Sequence, residues 1–200
     1  MKLYKNGHVL ENGNFVRKDI LVDNGMIKKI APDIECDCET VDVSGKRIIP
    51  ALIDIHTHGA NGTDFNLASL EEMRGLIEFY RSRGVGTVLP TVMTDEDGVM
   101  KKQLSLIKEL AEEYPEVKGI HLEGPFLAPE YSGAMPPRLL QKASYEKFLE
   151  YQEASGGLIK LVTVSPEVPG ALEFIKQASA AGIVVSLGHS GADYETAMAD

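Results

Sequence analysis

The chain has 200 residues, 44% hydrophobic and 25% charged, ordinary values for a globular protein with a real core. Its formal net charge of −10 argues against nucleic acid and anionic membrane as partners, and no run approaches the length of a membrane span. The opening MKLYKNGHVLENG lacks the apolar stretch and cleavage site of a signal peptide, so the expected compartment is cytoplasmic.

Residues 1–50 read as a small antiparallel β-element. Short β-like runs (LYKN, HVLENGNFV, DILVDNGMIKKI, ETVDVSGKRII) are punctuated by turn signals at Asn12-Gly13, Asn24-Gly25 and Ser44-Gly45. His8 lies here and reads as a surface histidine. The two cysteines, Cys36 and Cys38, form a lone C-x-C in an acidic turn. Two positions apart they are poorly placed to bridge each other, so reduced surface thiols are expected.

From residue 51 strands and helices alternate. The predicted strands are Ala51–Ile55, Gly86–Val92, Val117–Leu122, Leu158–Val164 and Ile183–Leu187, short and continuously apolar or β-branched, as parallel strands buried on both faces should be. Ser69 and Glu72 make a capping box for a helix with Leu70, Met73, Ile77 and Tyr80 on one face, ending near Gly84. Asp95 or Thr94 is the expected cap of a second, with Met100, Leu104, Ile107 and Leu110 inward. Ser144 opens a third, with Tyr145, Phe148 and Leu149 inward. Pro169 suits the first turn of a fourth, with Leu172, Ile175 and Ala178 inward. Asp193 begins a fifth that runs to Asp200.

The expected fold class is therefore α/β. Parallel βα repeats suit a (β/α)8 barrel or a doubly wound sheet. An eight-unit barrel needs about 250 residues. About five units fit residues 51–200, so the expectation is a partial (β/α)8 TIM-type barrel.

Metal-ligating residue types stand at three of the five strand ends. His56 and His58 follow the first strand, Glu123 the third and His189 the fifth. In a parallel barrel these ends share one face, where four residues far apart in sequence converge. His56 and His58, two apart in extended chain, point to one side and can grip one cation, with Thr57 facing away. A carboxylate at the end of a buried strand needs compensation, which a divalent ion or a nearby Arg or Lys would supply. His121 reads as a structural neighbour of the site rather than a ligand. Asp54 is a candidate to orient an imidazole. Asp64 reads as a cap for the following segment, and Glu167, in Ser165-Pro166-Glu167, as a helix-start carboxylate.

PALIDIHTHG, GIHLEGPFLAPEYSGA, LVTVSPE and VSLGHSGADYETA together resemble the N-acetylglucosamine-6-phosphate deacetylase family of the amidohydrolase superfamily, over essentially the whole chain. The resemblance implies metal-assisted hydrolysis of the acetamide of an N-acetyl amino sugar phosphate, giving acetate and the free amine, within N-acetylglucosamine catabolism. It implies that Glu123 and His189 are metal ligands, and that His56 and His58 are the pair found in members with a second ion. His and carboxylate ligands suit Zn, Fe, Co or Mn, one or two per subunit. It also implies a homodimer, and a small β-sandwich of which residues 1–50 are part.

Two residues depart from the family pattern. Ala51 stands where glycine is usual. Met135 follows Ala134 where the family carries a substrate-contacting histidine; methionine cannot donate that hydrogen bond. Ala134 and Met135 are thus the candidate substrate-binding positions. The family's catalytic aspartate is expected beyond residue 200, which implies the first half of a longer protein, inactive as the isolated chain. Two alternatives stay open: a deacetylase or cyclic amide hydrolase with another substrate, and a non-catalytic fragment or interaction domain.

Overall fold

The computed structural model describes residues 1–198 and divides into two compact units, one ending at Pro50 and one beginning at Ala51. In the first, β1 (Lys2–Glu11) and β2 (Asn14–Asp23) pair antiparallel, as do β2 and β3 (Met26–Ala31). Both connections are two-residue loops. Asn12-Gly13 and Asn24-Gly25 have positive φ at both positions (49° and 80°, 48° and 74°), the left-handed backbone conformation whose turn matches the right-handed twist of the paired strands.

The antiparallel expectation fails for the rest of this unit. β4 (Glu39–Asp42) and β5 (Arg47–Ile48) both run parallel to β1, so the sheet is mixed. Ser44-Gly45 does not reverse the chain into a hairpin. It steps the chain past the irregularity between Tyr4 and Gly7 in β1, and the chain resumes pairing beside His8 and Val9. Cys36 and Cys38 are joined as a disulfide rather than free, because the turn brings their Cα atoms to 5.4 Å, within bridging reach.

The second unit begins with β6 (Leu52–Thr57), followed by a minute hairpin, β7 (Gly59–Ala60) with β8 (Thr63–Asp64). Then come α1 (Leu70–Ser82), β9 (Val85–Met93), α2 (Asp97–Glu113), β10 (Ile120–Glu123), α3 (Tyr145–Ala154), β11 (Ile159–Val164), α4 (Ala171–Ala180), β12 (Val184–Leu187) and α5 (Tyr194–Ala197). The five longer strands form one parallel sheet in the order β12-β11-β10-β9-β6. Each strand lies beside its predecessor in the chain, so all five C-terminal ends fall along one edge.

The helices form for the expected local reasons, with instructive exceptions. The Ser69–Glu72 capping box opens α1, and Met73, Leu76, Ile77 and Tyr80 are buried. Burying each large apolar side chain contributes roughly 1.5–3 kcal/mol. Neither Thr94 nor Asp95 caps α2; Glu96 holds that position without a side-chain bond. The Thr94 hydroxyl instead donates to the Glu123 carbonyl, and the Asp95 carboxylate accepts from the Glu96 N–H. Ser144 caps α3, whose buried face is Phe148 and Tyr151; Leu149 points out. α4 starts after left-handed Gly170, not at Pro169, and buries Phe174 and Ala178 while Leu172 is exposed. Asp193 caps α5, which ends at Ala197; the expected continuation reaches residues outside those described.

β9, β10 and β11 are largely buried. Among the described residues β6 and β12 each have a neighbour on one side and leave Ile53, Ile55, Val184 and Leu187 exposed, so burial on both faces holds there for the inner strands.

Candidate metal centre

Three strand ends build the site. At the end of β6, His56 and His58 aim both Nε2 atoms at the carboxylate of Glu123 on β10, two strands away. His58 Nε2 lies 3.1 Å from Oε2 and His56 Nε2 3.4 Å from Oε1. Thr57 does face the other way. It is buried, its N–H donates to the Thr91 hydroxyl on β9 (2.9 Å), and its hydroxyl pairs with that of Tyr80 on α1. The pincer is thus anchored to the neighbouring strand and helix by the residue between its arms. Asp54 accepts from the His56 backbone N–H (3.2 Å), so it braces the main chain and not an imidazole.

Glu123 is 4% exposed. Among the described residues no Lys or Arg pairs with it; its ion-pair partners are His56, His58 and His189. His189, in the loop after β12, brings Nε2 to 3.1 Å from Oε1. Its Nδ1 lies 2.8 Å from the Tyr131 carbonyl, which can only accept, so Nδ1 carries the proton.

This hydrogen bond tests whether a cation fits. With Nδ1–H engaged, the neutral His189 ring presents the Nε2 lone pair to a buried carboxylate oxygen, an arrangement favourable only with positive charge between them or on the ring. His56, His58 and Glu123 offer ligand atoms all within 4.8 Å of one another, and His189 joins through the shared carboxylate. Imidazole nitrogens with one carboxylate are the donor set of a divalent transition metal.

His121, 1% exposed, supports the site from beneath. Its Nδ1 lies 3.2 Å from the Thr91 hydroxyl and its Nε2 2.7 Å from the Thr163 hydroxyl, while its ring meets His56 edge-on at 4.5 Å. Burial first, then the nearby His56 and His58, push its pKa down to about 3, so it stays neutral. Both its nitrogens are engaged by hydroxyl groups.

Gly133 lies against the His189 ring, in the loop that carries exposed Ala134 and buried Met135 (2% exposed). Asp64 accepts from the Asn66 N–H (2.7 Å), the capping role expected of it. His8 is exposed in the first unit. Glu167 is not the helix-start carboxylate expected, because α4 begins only at Ala171; its carboxylate instead bonds Ser190 and Gly191 beside His189. The sequence signal for it was its place just beyond a strand end on the same rim.

No family model matches. A Bacillus subtilis N-acetylglucosamine-6-phosphate deacetylase is 36% identical over 152 residues, covering 73% of this chain and 38% of that protein. The Bos taurus enzyme of the same name is 34% identical over 205 residues, 97% of this chain and 50% of that protein. The chain is homologous to N-acetylglucosamine-6-phosphate deacetylases. It spans about half the length of the curated deacetylases it matches, or less. A mutant Mycobacterium smegmatis deacetylase, solved with N-acetyl-D-glucosamine-6-phosphate, superimposes with a TM-score of 0.87 at 25% identity, over 97% of this chain and 51% of that one. A Shewanella relative, 32% identical over 197 residues (95% of this chain, 50% of that protein), is an N-acetylgalactosamine-6-phosphate deacetylase. Deacetylases of both sugar phosphates are thus among the relatives.

Proposed function

We propose that the whole protein hydrolyses the acetamide of N-acetylglucosamine 6-phosphate to glucosamine 6-phosphate and acetate. The observation that carries this reading is the buried Glu123 carboxylate with three imidazole Nε2 atoms on it and no Lys or Arg among its described partners. His56, His58, Glu123 and His189 would hold the ion or ions, with Glu123 placed to be shared between the β6 pair and His189. A divalent cation held there supplies Lewis acidity to an amide carbonyl and makes water more acidic.

The chain's own residues do the positioning. Thr57 and Thr91 anchor the pincer, Tyr131 sets the His189 tautomer, and neutral His121 fills the floor without adding charge. Ala134 and Met135 are proposed to line the substrate side, as part of the loop packed on His189. No acid–base aspartate is assigned within these residues.

The five parallel βα units are read as part of a (β/α)8 barrel, and residues 1–50 as part of a small β-sandwich. A cytoplasmic homodimer using Zn, Fe, Co or Mn completes the proposal. N-acetylgalactosamine 6-phosphate is the second substrate reading, favoured by the Shewanella relative.

The test is acetate release by the protein at its full natural length, from each sugar phosphate, with and without a chelator. Chelator-sensitive release from N-acetylglucosamine 6-phosphate is expected. Preference for its N-acetylgalactosamine epimer selects the second reading, and chelator-insensitive release or none with any metal refutes the proposal.

A further inference from the structure

His189 has φ +52°, a left-handed backbone uncommon for a non-glycine residue. Two residues from the β11 end hold the chain around it. The buried Ser165 hydroxyl reaches the His189 carbonyl (2.7 Å) and the Gly188 carbonyl (3.0 Å). Glu167 takes the other side: one carboxylate oxygen accepts from the Ser190 hydroxyl and the other from the Gly191 N–H, both at 2.7 Å. The chain before and after His189 is thus tied to one strand end. A side chain at Gly191 would collide with the Tyr131 ring, so this turn also seats the residue whose carbonyl fixes the His189 tautomer.

We propose that Glu167 is a positioning residue of the metal centre, gripping the turn after His189 so that its Nε2 faces the metal side of Glu123. The inference rests on the reading of His189 as a metal ligand. Glu167 itself is not a ligand. Both its oxygens are committed to the 190–191 turn, and it makes no ion pair among the described residues. Hydrogen bonds to an ionised acceptor are the stronger kind, and supports of metal ligands typically change metal affinity about 10–100-fold when removed.

The test is Co2+ binding to the full-length protein, read by affinity and by the visible spectrum, which reports ligand geometry. Glu167→Ala is expected to bind about tenfold more weakly, the low end of that range, with an altered spectrum. Glu167→Gln, which keeps an acceptor for the Gly191 N–H, is expected to recover most of the loss. Ser190→Ala, removing one of the two contacts, is expected to fall between, and decides the matter if Glu167→Ala does not fold. Wild-type affinity and spectrum in the variants, or a lower melting temperature of the metal-free form alone, would overturn the inference while leaving the metal reading intact. Failure of the unaltered protein to take up Co2+ would remove both.

Discussion

Glu123 Oε1 lies 3.1 Å from His189 Nε2 and 3.4 Å from His56 Nε2, so one buried carboxylate oxygen faces imidazoles from opposite edges of the sheet. A carboxylate buried without compensation is costly, and here the compensation comes from groups whose own lone pairs favour a cation. The site is therefore a property of three strand ends together.

Metal should stabilise the fold by mass action. At a free concentration one hundred times Kd the gain is about 2.7 kcal/mol. Thermal melting with and without added divalent cation should show the shift, and the double substitution His56→Ala/His58→Ala should reduce it. An equal shift in that variant would place the cation elsewhere.

Thr91 serves two masters, accepting from the Thr57 N–H and bonding His121 Nδ1, and it is fully buried. Thr91→Val strands both groups and should cost about 1–3 kcal/mol in urea unfolding. Thr91→Ser should recover most of that. Equal stability of the valine variant would show that the hydroxyl does not anchor the pincer.

Gly59, directly after His58, has φ +140°, and an added Cβ would collide with the Thr63 carbonyl oxygen. Gly59→Ala should destabilise by about 1–3 kcal/mol, measured by denaturant unfolding, as the β7–β8 hairpin is forced apart. A neutral substitution would mean that the hairpin yields freely.

His121 gives the metal-free protein a pH signature. Its folded pKa, pushed down to about 3, lies below the ordinary value of 6.5, so the unfolded chain takes up the proton first. Stability should therefore fall as pH drops below about 6.5 towards 3, by at most about 1.4 kcal/mol per pH unit from this residue. Urea unfolding in chelator at several pH values should give a flatter profile for His121→Gln than for the unaltered chain. Parallel profiles would contradict the assignment.

The periodicity of the second unit was legible because helix caps and apolar stripes are local: Ser69, Ser144 and Asp193 each cap as read. So was the convergence of His56, His58, Glu123 and His189, since parallel strand order places the C-terminal ends that carry them on one edge. What escaped depends on partners distant in sequence. Thr94 was unavailable as a cap because the Glu123 carbonyl claims it. The parallel course of β4 and β5 depends on an irregularity in β1, and the Cys36–Cys38 pairing on how one turn folds. Glu167 read as a helix-start carboxylate because its partners lie 23 and 24 residues on.

The most direct measurement is metal content after equilibration with a divalent cation and removal of the excess, for the unaltered protein and for Glu123→Gln. Glu123 supplies the charge and meets all three imidazoles, so stoichiometric metal is expected in the first and little in the second. Equal metal in both, or none in the unaltered protein, would contradict the assignment of this cluster as a metal centre.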